Sequence, residues 1–211
     1  MAEMSLIQTL VVWTPPVLLA VTLHEVAHGW VARELGDDTA DRLGRLSFNP
    51  LKHVDPVGTV LVPGLLYALA GIVFGWAKPV PVNWENLRNP RRDMALVALA
   101  GPLANVVMLL AWAAVAKFGL SYGQHYFMST GLAGVMINAV LIALNLLPIP
   151  PLDGSRVVSA LLPHDMALQF GRIEPYGLII LLVLIGSGAL DRLMEPTMDV
   201  IGWVMQTLLS G

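Results

Sequence analysis

The sequence predicts an all-α fold: a polytopic bundle of transmembrane helices with one re-entrant segment, folded as a single domain over residues 1–211. Hydrophobic residues make up 56% of the chain and charged residues 13%, whereas an ordinary soluble domain is about 25% charged. The mean hydropathy is +0.69, and several apolar segments reach the roughly 20 residues needed to cross about 30 Å of hydrocarbon. We therefore expect an integral membrane protein whose helices contact the lipid bilayer.

Charge and cysteine content exclude several other classes of site. The formal net charge is -3, and the chain has no long run of like charges, so it lacks the basic field that collects nucleic-acid phosphates. Nucleic acid is therefore not an expected partner. The chain contains no cysteine, which leaves histidine, aspartate and glutamate as ligands for any metal ion.

Long apolar segments give the positions of the expected spans. The predicted spans are residues 6–32, 93–116, 127–147 and 176–190. The first is predicted to be permanent, because no basic region of a cleaved signal peptide precedes it. Near the C-terminus, residues 196–209 place Val200, Val204 and Leu208 on one helix face with Trp203 nearby, which predicts a helix lying at the membrane interface.

The distribution of lysine and arginine predicts the topology, because positively charged loops stay cytoplasmic. Ten of the twelve basic residues fall in the three loop regions 33–52, 78–92 and 156–172, which places these loops in the cytoplasm and the N-terminus outside. Segment 57–76 then leaves and re-enters on the same side, as a re-entrant or laterally packed hairpin bent at Pro63 and Gly64. A full span with one basic loop left outside is the alternative.

The chemistry-bearing motif lies in the last third of the first span and reads His24-Glu25-Val26-Ala27-His28. Residues four apart share one face of a helix, so both imidazoles can reach one metal ion, with Glu25 beside them to accept a proton from water. Ionisable residues inside a membrane are costly and need a partner. The motif therefore predicts a catalytic zinc site, with polar groups satisfied by neighbouring helices as the alternative.

Asp153 is the best candidate for a third ligand, because catalytic zinc usually has three protein ligands and one open position. It follows the third predicted span, after Pro148, Pro150 and Pro151, which disfavour a helix and are expected to hold the chain extended. The predicted topology places Asp153 on the cytoplasmic side. His24 and His28 lie roughly 6 to 12 Å inside the same side, at about 1.5 Å per residue, so the three side chains can meet.

The other histidines compete poorly as ligands. His125 falls on the opposite side of the membrane, and His164 lies in a loop after Pro163. His53 lies in a basic loop, where a solvated side chain is expected; the alternative is a role near the metal, because this loop follows the metal helix closely.

At these residues the sequence resembles the site-2 protease family of intramembrane zinc metalloproteases. The resemblance rests on the His-Glu motif, on Gly101-Pro102-Leu103-Ala104-Asn105 and on the segment from Asn145 to Gly154, in this order. The interval between His28 and Gly101 is similar to that of the compact prokaryotic subgroup, in which PDZ and CBS domains are not expected. For Gly101 and Asn105, close helix packing is the favoured role.

The resemblance implies an active site on the cytoplasmic side of a prokaryotic cell membrane. His24, His28 and Asp153 would bind Zn²⁺, and Glu25 would act as general base in hydrolysing a peptide bond in or near a transmembrane segment of a membrane-protein substrate. Asn145 would steady the substrate backbone or the oxyanion, with a helix–helix hydrogen bond as its alternative role. Two other functions stay open: a metal transporter or metal sensor using the same ligands, and an inactive homologue that binds membrane helices.

Overall fold

Long apolar segments become long helices here, because a backbone in lipid must satisfy its hydrogen bonds internally. The computed structural model describes residues 4–70 and 75–210, and no β-strand occurs within these ranges. The described α-helices are α1 (Leu6–Glu34), α2 (Thr39–Arg42), α3 (Val62–Ala70), α4 (Pro90–Ser121), α5 (His125–Asn145), α6 (Asp153–Leu161), α7 (His164–Gly171), α8 (Gly177–Gly186) and α9 (Ala189–Ser210).

Within the described residues, four helical stretches are long and apolar enough to cross a membrane: Leu6–Glu34, Pro90–Ser121, His125–Asn145 and His164–Gly186. This finding confirms the predicted polytopic membrane bundle and the first three spans. The fourth span was predicted over residues 176–190, and the apolar helix α8, Gly177–Gly186, lies within those bounds. The longer helical stretch that contains α8 begins at His164 and ends at Gly186. Gly188 then adopts a φ of +70°, and a new helix follows it.

The centre of the bundle is the antiparallel pair of α4 and α5, with α1 packed against both. Small residues allow this close approach. Gly119 lies against the backbone of Met128, and Gly131 lies against the backbone of Ala116. Closer to its N-terminus, α4 meets the His-Glu motif of α1, where Gly101 lies against His24 and His28.

Segment 57–76 returns to its starting point. It begins in a π-helical turn, Pro56–Leu61, and continues into α3. The backbone N–H of Trp76 then donates to the carbonyl of Gly58 at 3.0 Å. The two ends of the segment are therefore adjacent, which agrees with the predicted hairpin. Pro63 and Gly64 lie inside the first turn of α3 and not at a break between helices; residues 71–74 lie outside the described ranges.

Helix α9 packs against the bundle through one face and leaves another exposed. Val200, Trp203 and Leu208 are exposed, whereas Met205 is buried against α4 and α5, with Met198, Ile201 and Val204 packed around it. The residues at positions 194, 198, 201 and 205 follow the spacing of a helical stripe. The tail therefore packs across the α4–α5 pair through this stripe.

Candidate metal centre

Helix α1 brings the two predicted histidine ligands together. The Nε2 atoms of His24 and His28 lie 3.0 Å apart, because residues four apart occupy one helix face. Both rings face α4 near the cytoplasmic end predicted for the bundle. This arrangement agrees with the spacing argument from the sequence.

Asp153 joins the histidine pair from a distant part of the chain. Its Oδ2 atom lies 3.2 Å from Nε2 of His24 and 3.3 Å from Nε2 of His28. The carboxylate occupies the first residue of α6, directly after the proline-containing loop that follows α5. The three side chains that the sequence selected as ligands therefore converge.

The loop before Asp153 was predicted to be extended, and that prediction is wrong. The loop folds into consecutive tight turns. Backbone hydrogen bonds join Ile149 to Leu147 and Leu152 to Ile149, each at 2.8 Å. Gly154 packs against this loop so closely that a Cβ there would come within 2.5 Å of the Leu147 carbonyl oxygen. The turns and this glycine bring Asp153 back to the depth of the histidines.

The donor set fits a zinc ion. The ligand atoms of His24, His28 and Asp153 all lie within 4.8 Å of one another, and within the described ranges no other cluster of this kind occurs. Oδ2 of Asp153 is buried and makes no hydrogen bond there, so a cation is the partner that its position favours. Two imidazoles and one carboxylate would hold a zinc ion through three protein ligands, the number typical of catalytic zinc sites.

The outer nitrogen of each imidazole is bonded to a hydrogen-bond acceptor. Nδ1 of His24 lies 2.6 Å from Oδ1 of Asn105, and Nδ1 of His28 lies 2.7 Å from the carbonyl of Val97. Both acceptors require a proton on Nδ1, so each neutral ring presents the lone pair of Nε2 to the ligand cluster. Such outer contacts hold ligating histidines in the correct tautomer and orientation.

Gly101 and Asn105 lie four residues apart on the face of α4 that meets the histidines. A Cβ at Gly101 would come within 2.6 Å of Cε1 of His24 and closer still to Nε2 of His28, which confirms the predicted close packing at Gly101. Asn105 does more than pack: its amide accepts from His24 and donates to Asn138 at 2.8 Å. The spacing of four was the signal in the sequence that linked both residues to the site.

A segment without regular secondary structure, residues 76–82, holds Glu25. Its backbone N–H groups at Trp76 and Lys78 donate to Gly58 and His53, and the N–H of Val80 donates to Oε2 of Glu25 at 2.7 Å. The sequence did not predict this contact, because no local pattern connects Glu25 to a residue 55 positions later.

Asp37 binds the chain at the C-terminal end of segment 76–82. It is another residue that the sequence did not identify. The buried carboxylate accepts hydrogen bonds from the backbone N–H of Asn83 at 2.7 Å and from the side-chain amide of Asn86 at 2.9 Å, and it also accepts from Thr39. Burial alone would raise the pKa of Asp37, but the hydrogen bonds from Thr39, Asn86 and Asn83 lower it below the usual 3.8.

Asn145 and His53 are the two other residues that the sequence discussed near the site. The amide of Asn145 donates to the carbonyl of Leu141 in its own helix at 3.0 Å, and Asn145 is not part of the ligand cluster. His53 was expected to be solvated, and that expectation is wrong: its side chain is buried, with Nε2 2.8 Å from the Ser47 carbonyl. His125 and His164 are exposed, away from the cluster.

Curated bacterial proteins resemble the chain over most of its length. It is 40% identical over 174 residues to "Putative zinc metalloprotease YwhC" from Bacillus subtilis strain 168, which covers 79% of this chain and 76% of that protein. It is 33% identical to "Putative zinc metalloprotease Rip2" from Mycolicibacterium smegmatis, over 83% of this chain and 66% of that protein. For Rip2 of Mycobacterium tuberculosis strain H37Rv, the identity is 29%, over 88% of this chain and 67% of that protein.

No family model and no solved structure matches the chain. The similarity to the Bacillus protein is nevertheless strong enough to identify the family, and the ligand cluster is of the kind that its name implies. The helices able to cross a membrane agree with this family as well. The chain therefore belongs to the site-2 protease family of zinc metalloproteases, with Zn²⁺ as its cofactor.

Proposed function

We propose that this protein is an intramembrane-cleaving zinc endopeptidase that hydrolyses peptide bonds in or near the transmembrane segments of membrane-protein substrates. The observation that carries the proposal is the convergence of His24, His28 and Asp153, from two distant parts of the chain, inside a bundle of apolar helices. Ionisable residues at such positions are costly unless they serve a site.

Each member of the site has a defined role in this proposal. His24, His28 and Asp153 hold Zn²⁺, and the hydrogen bonds to Asn105 and Val97 keep the two imidazoles oriented. A zinc ion in such a site supplies a Lewis acid that activates water and polarises a carbonyl.

Glu25 acts as general base and then as general acid. The two histidines of its motif, His24 and His28, are both proposed ligands. The carboxylate of Glu25 therefore lies beside the position where water and the scissile carbonyl meet. The N–H of Val80 fixes one carboxylate oxygen, which leaves the other free to take the proton from water. The same oxygen then delivers that proton to the leaving amine.

Asn145 is proposed to support the substrate backbone or the developing oxyanion. Its side chain is only partly buried and is bonded within its own helix. A rotation of this side chain would exchange the Leu141 carbonyl for a substrate group. The change requires no movement of α5.

Segment 76–82 supports the substrate mainly by holding Glu25. A helical substrate has to unwind before its carbonyls are accessible, and an extended protein segment is a natural partner for an unwound chain. The inward N–H groups of this segment are already bonded within the protein, and Pro79 and Pro81 have no N–H to offer. Pairing with a substrate here would therefore rely largely on carbonyl groups.

The active site is proposed to face the cytoplasm of a prokaryotic cell. Basic residues concentrate in the loops next to the site. His28 lies about 9 Å from the end of α1, at about 1.5 Å per residue. This depth suits cleavage near the cytoplasmic end of a substrate helix.

Substitution of the general base tests the proposal. Purified Glu25→Gln is expected to bind stoichiometric zinc and to retain an uncleaved single-span membrane protein that co-purifies with it. The trapped protein, reconstituted in liposomes, is then cleaved by the wild type but not by Glu25→Gln. Glu34→Gln is the matched control, because Glu34 lies on the same helix with an exposed side chain.

Two outcomes would contradict the proposal. Zinc flux into liposomes that survives Glu25→Gln would identify a transporter, since transport needs the ligands but no general base. Co-purification of membrane helices that neither the wild type nor Glu34→Gln cleaves would identify a binding protein without protease activity.

A further inference from the structure

A cavity of about 210 Å³ lies between α1 and the hairpin segment. Its walls include Val21 and Thr22 of α1, Pro63 of α3, and Trp76 and Ala77 of segment 76–82. Most of these side chains are apolar. The cavity is large enough for one medium-sized side chain of another molecule.

The cavity lies next to the proposed reaction site. Val21 and Thr22 precede Glu25 by about one helical turn, which corresponds to about 5.4 Å along α1. On the opposite wall, Ala77 is three residues before Val80, whose N–H binds Glu25. A substrate residue in the cavity would therefore be close to the bond that Glu25 helps to cleave.

His53 gives this cavity a polar group. Its side chain is only 3% exposed and lines the cavity. Nε2 lies 2.8 Å from the Ser47 carbonyl, and because a carbonyl only accepts, Nε2 carries the ring proton. Nδ1 of the neutral ring is then an acceptor, and it has no hydrogen-bond partner within the described parts of the chain.

The frame around His53 is rigid. The N–H of Lys78 donates to the His53 carbonyl at 2.9 Å, and the N–H of Trp76 donates to Gly58 at 3.0 Å. Asp55 accepts from the N–H groups of Val57 and Gly58. These bonds connect three segments into one wall of the cavity: the turn Pro50–His53, the π-helical turn Pro56–Leu61 and segment 76–82. The ring of His53 is therefore held in place before anything binds.

We propose that this cavity is a specificity subsite for an uncharged substrate side chain that carries a hydrogen-bond donor, such as the hydroxyl of serine or threonine. Nδ1 of His53 accepts from that donor, and the apolar walls pack against its methyl or methylene groups. A charged side chain is disfavoured, because burial there would cost its hydration without an opposite charge. This inference rests on the proposed protease function.

The test compares threonine and valine, which have the same shape but differ in the donor. The substrate is the single-span protein recovered with Glu25→Gln, with its cut site located by mass spectrometry. Each residue from three before to three after the cut is replaced in turn by Thr and by Val. At one position we expect kcat/KM to be about 10-fold or more higher for Thr, because a site built to bind a hydroxyl rejects an analogue that lacks it.

Variants of the histidine connect this preference to the cavity. His53→Phe, which keeps a ring but has no acceptor, is expected to reduce the Thr/Val ratio to about 1 with zinc content unchanged. His53→Asn keeps an acceptor near the position of Nδ1 and is expected to retain part of the ratio. His164→Phe, at an exposed histidine, is the control and leaves the ratio at the wild-type value.

Several outcomes would overturn the subsite. Cleavage with no Thr/Val preference at any of the six positions would remove it while leaving the protease function intact. An unchanged ratio in His53→Phe would show that the histidine only packs or binds a structural water. If His53→Phe fails to fold, His53→Leu, which also lacks an acceptor, takes its place, and an unchanged ratio in that variant counts equally against the subsite. Absence of any cleavage by the wild type contradicts the protease function itself.

Discussion

Nδ1 of His24 lies 2.6 Å from Oδ1 of Asn105, so an amide on α4 fixes the tautomer of a proposed metal ligand on α1. Replacing Asn105 by leucine removes this acceptor while keeping the number of side-chain heavy atoms. We expect zinc affinity to fall by about 10- to 100-fold, as for other second-layer partners of metal-binding histidines. Competition with a chromogenic chelator measures the change.

Asn138→Leu is the matched control for this prediction. Asn138 accepts from Asn105 but does not touch His24, so its loss should lower zinc affinity less than Asn105→Leu does. Equal effects of the two substitutions would mean that the pair contributes through packing alone.

Gly101→Ala is expected to abolish zinc binding and cleavage together. The added methyl group would overlap the imidazoles of His24 and His28, and both rings would have to leave their present positions. Gly202→Ala is the control, because a Cβ at Gly202 meets nothing within 4 Å. That control should leave zinc content unchanged and stabilise α9 slightly, by about 0.5 to 1 kcal/mol. Full zinc occupancy in Gly101→Ala would refute the proposed crowding.

Removal of zinc is expected to lower the thermal unfolding midpoint, since a ligand that binds only the folded state stabilises it. A chelator should therefore lower the midpoint of the wild type, and added zinc should restore it. In Asp153→Asn the shift should be much smaller, because one ligand is weakened. Asp165→Asn, at an exposed aspartate in the first turn of α7, should respond like the wild type; the same shift in both variants would argue against Asp153 as a ligand.

Asp37→Asn is expected to destabilise the protein in a pH-dependent way. The pKa of Asp37 is lower in the folded state than its usual 3.8, so the ionised carboxylate contributes stability at any pH above the unfolded value. That contribution is lost as the pH falls through the folded pKa. The difference in unfolding midpoint between wild type and Asp37→Asn should be largest near neutral pH and should shrink below about pH 4. A constant difference over this range would mean that ionisation is irrelevant.

Asn145→Ala is expected to lower kcat while zinc content stays at the wild-type level. Loss of one oxyanion donor typically costs about 100- to 1000-fold in kcat. Asn89→Ala, at a residue whose side chain makes no capping bond, is the control and should keep wild-type kcat. An unchanged kcat in Asn145→Ala would restrict that residue to the helix bond with Leu141.

Sequence patterns selected the three residues of the candidate metal cluster and predicted most of the bundle. His24 and His28 are one helical turn apart, and Asp153 follows a proline-rich break, so spacing and topology together selected all three. Long apolar segments likewise predicted α1, α4 and α5. The histidine pair and the spans depend on residues near one another in sequence, which is where periodicity carries information, whereas Asp153 was selected through the predicted topology.

Features that depend on distant residues were not predictable in this way. The bonds of Glu25 to Val80 and of Asp37 to Asn83 join positions 55 and 46 residues apart, and no periodic pattern encodes them. The packing of Met205 against Leu109 and Ile142 was not predictable either, because these residues lie on three helices that are far apart in the sequence. His53 was expected in solvent but is buried, because residues distant in sequence, such as Thr22 and Trp76, lie around it.

The partner of His28 is a main-chain carbonyl, that of Val97, and this choice has an evolutionary consequence. No substitution at position 97 deletes a carbonyl, so point mutation cannot easily uncouple this imidazole from α4. What can weaken the contact is a sliding or tilting of α4 relative to α1. Drift in lipid-facing side chains is thereby tolerated, whereas insertions or deletions that change the register of these two helices would impair the metal centre.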